Sequence, residues 1–74
     1  MIYIFKRPGC VYCPQVMKYY DHIKVAYEVR EAEGNDYEQL SKRFGFSVPL
    51  VYNSENGIGF CGYNIAKLRE IAGV

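Results

Sequence analysis

Residues 7–14 read RPGCVYCP, placing Cys10 and Cys13 with two residues between them and prolines on either side. Two thiols at this spacing can exchange a disulfide with a substrate, bind a metal, or staple a loop. The chain has three cysteines, too few and of the wrong parity for a secreted disulfide framework. Redox chemistry or metal binding is the better reading of such a pair.

What precedes and follows the pair decides how it is held. Met1 to Phe5 is an unbroken apolar run, suited to a strand buried on both faces of a sheet. Cys13, Val16, Met17 and Tyr20 then recur at i, i+3, i+4 and i+7, the apolar stripe of a helix running from close to Cys10 to Ile23. This strand-to-helix step puts Cys10 at a helix N-terminus, where free N–H groups and the helix dipole favour a thiolate. Arg7, three residues upstream, adds positive charge. Pro14 is tolerated in a first turn, where its missing N–H has no intrahelical partner. A thiol of pKa ~8.5 is only about 3% thiolate at pH 7. Lowering it to about 6 raises that fraction roughly thirtyfold, while nucleophilicity falls roughly tenfold, so the larger gain is to Cys10 as a leaving group. Cys10 is therefore expected to attack a substrate disulfide, and Cys13, on the inward stripe, to resolve the mixed disulfide.

The rest of the chain supplies the other walls. Val25 to Arg30 alternates and reads as a half-exposed edge strand. EGND breaks the chain, with Asn35 or Asp36 available as an N-cap. Tyr37, Leu40 and Phe44 mark a short helix that Gly45 can close. Val48 to Tyr52 reads as a strand opened by Pro49; NSENG is a turn, and Ile58 to Phe60 a return strand. Ile65, Leu68 and Ile71 or Ala72 mark a last helix. The order is β-α-β-α-β-β-α: an α/β domain over residues 1–74, with a four-stranded mixed sheet and helices on both faces.

Composition narrows the function. A net charge of +1 gives no field for nucleic acid or an anionic membrane. No stretch approaches the roughly 18 apolar residues of a membrane span. The opening segment has no basic n-region or long h-region, which points to a cytosolic protein.

Zinc could draw on Cys10, Cys13, Cys61 and His22. Cys13 and His22, however, are nine residues apart on one helix, on roughly opposite faces and ~13 Å apart along the axis. His22 reads as a surface residue and receives no role. Cys61, after the hairpin strand, reads by default as a buried, inert thiol. An iron–sulfur or metal carrier using the same cysteines remains the alternative class of function. Tyr12 is read as a recognition surface beside the thiols. Tyr19, Tyr20 and Tyr37 read as core or flank.

RPGCVYCP, SVPLVY and GIGF before the last helix together resemble a glutaredoxin or the related NrdH-type redoxins, both of thioredoxin-like fold. The resemblance spans nearly the whole chain. It implies a cis Val48–Pro49 bond beside the C-x-x-C site, with the backbone at Val48 pairing with bound substrate. It adds Arg7, Tyr12, Cys61 and Gly62 to the substrate-binding set. Pro8, Gly9 and Tyr12 resemble the glutaredoxin KPGCPYC; Val11 and Phe60 are closer to the CVQC and SGFRP of NrdH-type redoxins. Gly62, Tyr63 and Asn64 stand where glutathione-binding members carry an Asp, so the partner for the amino group of glutathione is missing.

The function implied is a monomeric dithiol oxidoreductase with no tightly bound cofactor beyond the Cys10–Cys13 disulfide. Its substrate would be a protein disulfide, with ribonucleotide reductase the partner the resemblance implies. Its reductant would be glutathione or thioredoxin reductase.

Overall fold

A computed structural model describes all 74 residues, Met1–Val74. The elements follow the expected order: β1 (Ile2–Lys6), α1 (Cys13–His22), β2 (Tyr27–Glu31), α2 (Gly34–Phe44), β3 (Leu50–Asn53), β4 (Gly59–Cys61) and α3 (Ile65–Ala72). The sheet order is β2-β1-β3-β4, with β1 parallel to β2 and antiparallel to β3. β4 completes the antiparallel hairpin with β3.

The apolar run of β1 lies in the interior of this sheet and feeds both faces. Ile2 and Ile4 join Val16 and Tyr20 of α1, Val51 of β3, and Leu68 and Ile71 of α3 in one core. Phe5 faces the other way and packs with Leu50 and with Tyr37 of α2. Each fully buried aliphatic side chain here contributes roughly 1.5–3 kcal/mol relative to exposure. Helices thus cover both faces, as the pattern predicts.

α3 shows how local chemistry sets its ends. The Asn64 side chain accepts from the Lys67 N–H at 3.1 Å, capping the first turn. Gly73, in the left-handed conformation, sends its N–H to the Arg69 and Glu70 carbonyls. The β3–β4 turn is tied to this helix through one acceptor. The side-chain amides of Asn53 and Asn56 donate to the Ile71 carbonyl at 2.8 and 3.0 Å.

Several boundaries differ from the expected ones. β2 starts at Tyr27 rather than Val25, although Val25 still packs on the larger core. The cap position of α2 falls on Glu33, and Asp36 lies in its first turn, so neither Asn35 nor Asp36 caps it. β3 begins after Pro49, and β4 runs one residue later than expected, which makes Cys61 its last residue. Phe44, at the end of α2, explains the Gly at position 59: a Cβ there would lie 2.8 Å from the Phe44 ring. No helix is long and apolar enough to cross a membrane.

Candidate active site

Cys10 and Cys13 form a disulfide with Cα atoms 5.5 Å apart, inside the ordinary range for such bonds. The helix does not begin at Cys10, as the stripe suggests. Cys10 sits in a turn closed by its own N–H on the Arg7 carbonyl at 3.2 Å, with Gly9 at φ +81°. Tyr12 occupies the cap position and Cys13 opens α1. No Ser, Thr, Asp or Asn is available at that cap, and Tyr12 makes no capping bond. The sulfur of Cys10 instead accepts the Cys13 N–H at 3.2 Å. A free helix-start donor therefore points at Cys10 Sγ, although Cys10 lies outside the helix.

The two cysteines differ in exposure. Cys13 is 2% exposed, on the stripe with Val16 and Tyr20, whereas Cys10 is half-buried. Val11 between them is 76% exposed and Tyr12 is exposed as well.

Three strands have ends on the side of the sheet from which this turn leaves β1. Phe5 pairs with Leu50 and Leu50 with Cys61, so the ends of β1, β3 and β4 lie side by side. The Val48–Pro49 bond just before β3 is cis, as the resemblance implies, and Pro49 is buried. Its carbonyl accepts the Gly62 N–H at 2.8 Å, joining Gly62 to Pro49 across the sheet end. Across from these, Tyr12 and Tyr63 lie with rings parallel to within 2° and centroids 5.9 Å apart. Tyr63 is a neighbour of the site that spacing could not reveal, because it belongs to the far end of the chain.

Arg7 is exposed, but its guanidinium does not hang free. It donates to the Tyr37 hydroxyl at 3.3 Å and its carbon lies 5.3 Å from that ring centroid. Tyr37 in turn donates to the Phe46 carbonyl at 2.8 Å. The sequence marks Tyr37 as core or flank; it is core, and its hydroxyl also reaches the site loop.

Cys61 is half-buried rather than buried. Its Sγ lies 3.0 Å from the Gly45 carbonyl oxygen and 3.3 Å from that of Ser47. Burial pushes this thiol above its ordinary value, against a smaller lowering by the Ser47 backbone. His22 is exposed in the last turn of α1, at the opposite end of the helix from Cys13. No three His, Cys, Asp or Glu side chains converge into a possible metal site. Where an Asp would be expected after the hairpin, the Asn64 carbonyl oxygen is occupied in capping α3. The largest cavity, of 410 Å³, lies away from the disulfide against α2, lined by Tyr3, Arg30, Leu40 and Tyr52 among others.

The sequence profile of the glutaredoxin family matches residues 2–58, from β1 through the β3–β4 turn. The chain belongs to the glutaredoxin family. Its fold is thioredoxin-like. The solved structure of the thioredoxin-like protein BC3987 superposes with a TM-score of 0.72 at 24% identity, covering 96% of this chain and 99% of that one. A single-residue variant of the same protein gives 0.73 at 24% identity, covering 96% and 97%. No curated protein matches the chain. Membership in the glutaredoxin family, together with the Cys10–Cys13 pair, assigns the chain a thiol–disulfide redox function.

Proposed function

We propose that this glutaredoxin-family chain is a dithiol reductant of protein disulfides, with Cys10 as nucleophile and Cys13 as resolving thiol. The observation that carries the reading is the unequal exposure of the two cysteines of one disulfide, 2% for Cys13 against a half-buried Cys10. Only Cys10 is open to a partner as large as a protein.

In the reduced form the Cys10 thiolate attacks one sulfur of the substrate disulfide. A mixed disulfide forms and one substrate thiolate leaves. Cys13 then loses its proton and attacks Cys10 Sγ, expelling the second substrate thiolate. Two electrons and two protons have passed from the dithiol to the substrate, and Cys10–Cys13 is oxidised. The Cys13 N–H, aimed at Cys10 Sγ, stabilises the Cys10 thiolate of the reduced form, the species that attacks.

Val48, at the cis Val48–Pro49 bond, offers the backbone edge to the substrate chain, with Arg7, Tyr12, Cys61 and Gly62 around it. The substrate is ribonucleotide reductase, and the protein works as a cytoplasmic monomer. Reduction of the oxidised form by glutathione is disfavoured by the sequence from Gly59 to Ala66, which holds no Asp or Glu to meet an ammonium group. Thioredoxin reductase is the favoured electron source. The test is one assay run two ways, with glutathione and its reductase, and with thioredoxin reductase. Reduction by the second and turnover of a ribonucleotide reductase disulfide are expected; reduction by neither overturns the reading.

A further inference from the structure

Two tyrosines are buried in this fold, and their hydroxyls serve different ends. Tyr20 donates to a helix carbonyl inside the core. Tyr37 instead bridges two segments that flank the disulfide. Its oxygen accepts from Arg7 at 3.3 Å and its proton goes to the Phe46 carbonyl at 2.8 Å. Arg7 lies three residues before Cys10, and Phe46 two residues before Val48. The Tyr37 ring is 5% exposed and packs on Phe5 with centroids 5.7 Å apart, so the hydroxyl is fixed by the core.

From this bridge we infer that Tyr37 is a positioning residue for disulfide exchange. It holds the Arg7 guanidinium and the 46–48 backbone in one arrangement before a substrate chain arrives. The inference rests on the functional reading above and deepens it. Arg7 has no carboxylate within salt-bridge distance, and Phe46 is 61% exposed. Without the hydroxyl, neither would be held by a polar contact from α2. A long cation and an exposed loop then lose their freedom on binding rather than on folding, which weakens the complex. The chemical step at Cys10 and Cys13 does not pass through Tyr37, so its loss falls on binding.

The test uses a short fluorogenic peptide closed by one disulfide as substrate of the full chain. Tyr37→Phe keeps the ring against Phe5 and removes both hydrogen bonds. Its KM is expected to rise about tenfold, with kcat changed by less than about twofold. Amide exchange at Phe46, Ser47 and Val48 should accelerate while Ile4 and Val51 stay as in the wild type. In a double-mutant cycle with Arg7→Met, the two increases in KM should fall short of multiplying, because both variants break the same bridge. A peptide KM unchanged by Tyr37→Phe, or increases that multiply fully, overturns the bridge while disulfide reduction by the wild type stands. If the wild type reduces no disulfide, the functional reading fails, and the bridge with it. Should Tyr37→Phe not fold, the Tyr37 hydroxyl proton in the wild type supplies the measurement by NMR. Slow exchange supports the bond to Phe46; exchange as fast as an exposed tyrosine overturns it.

Discussion

The Tyr20 hydroxyl donates to the Leu68 carbonyl at 2.8 Å, and both side chains are wholly enclosed where α1 meets α3. Burial first, then neighbouring Tyr19, pushes this phenol well above its ordinary value of 10.0. A raised phenol pKa means that the folded state keeps a proton that the unfolded chain gives up. The contribution is therefore fully present below pH 10.0 and is lost as pH rises above it. Denaturant midpoints measured from pH 8 upward should show this loss, and Tyr20→Phe should make the curve shallower. At pH 7 the same variant should be about 1 kcal/mol less stable. An alkaline limb of the same slope in both proteins would remove Tyr20 as its source.

Because Cys13 is enclosed and Cys10 is not, the two serine variants should fail differently. Cys10→Ser should lose all disulfide reductase activity. Cys13→Ser should still attack and then stall, accumulating a mixed disulfide with its substrate that dithiothreitol releases. Mass spectrometry of the trapped species reads this directly, and a fully active Cys10→Ser protein would refute the assignment.

With Cys10 and Cys13 oxidised, Cys61 is the remaining thiol. Its burial raises the pKa, so alkylation by iodoacetamide should be slow at pH 7, with a midpoint above 9.0. Reducing the protein should add a second, faster alkylation at Cys10. Alkylation of Cys61 at the rate of a free cysteine would contradict its burial.

Gly59 meets Phe44 where α2 ends. A Cβ placed there would stand 2.8 to 3.0 Å from three atoms of the Phe44 ring, which also packs 6.0 Å from Tyr52. Gly59→Ala must push that ring aside and should cost about 2 kcal/mol. The corresponding fall in Tm is roughly 10 °C for a domain of this size. An unchanged Tm would show that Phe44 yields freely.

The element order was legible because each element repeats its apolar residues at its own period, and buried strands such as β1 need no long-range information to be seen. Cys10 and Cys13 were legible for a similar reason: their chemistry depends on local spacing. What was hidden depends on closure of the sheet. α1 starts at Cys13 because the Gly9 turn keeps Cys10 out of the helix, and the apolar stripe carries no mark of that. Tyr37 looked like core because it is core; its second role needs β1, α2 and the loop before Pro49 brought together. Tyr63 reaches Tyr12 only once β4 lies beside β3. Cys61 was expected buried, and an edge strand leaves it half open.

The guanidinium groups of Arg7, Arg30 and Arg43 lie over the rings of Tyr37, Tyr3 and Phe44, roofing aromatic surface on the α2 side. α1 and α3 close the other face. Apart from the chain ends at Met1 and Val74, the large apolar side chains left open are Val11, Tyr12, Phe46, Tyr63 and Ile65. All five belong to segments that leave or enter the sheet at the disulfide end. The disulfide end of the molecule is therefore its most openly apolar one. On the proposed function, a protein partner drawn to these side chains arrives beside the turn that carries Cys10.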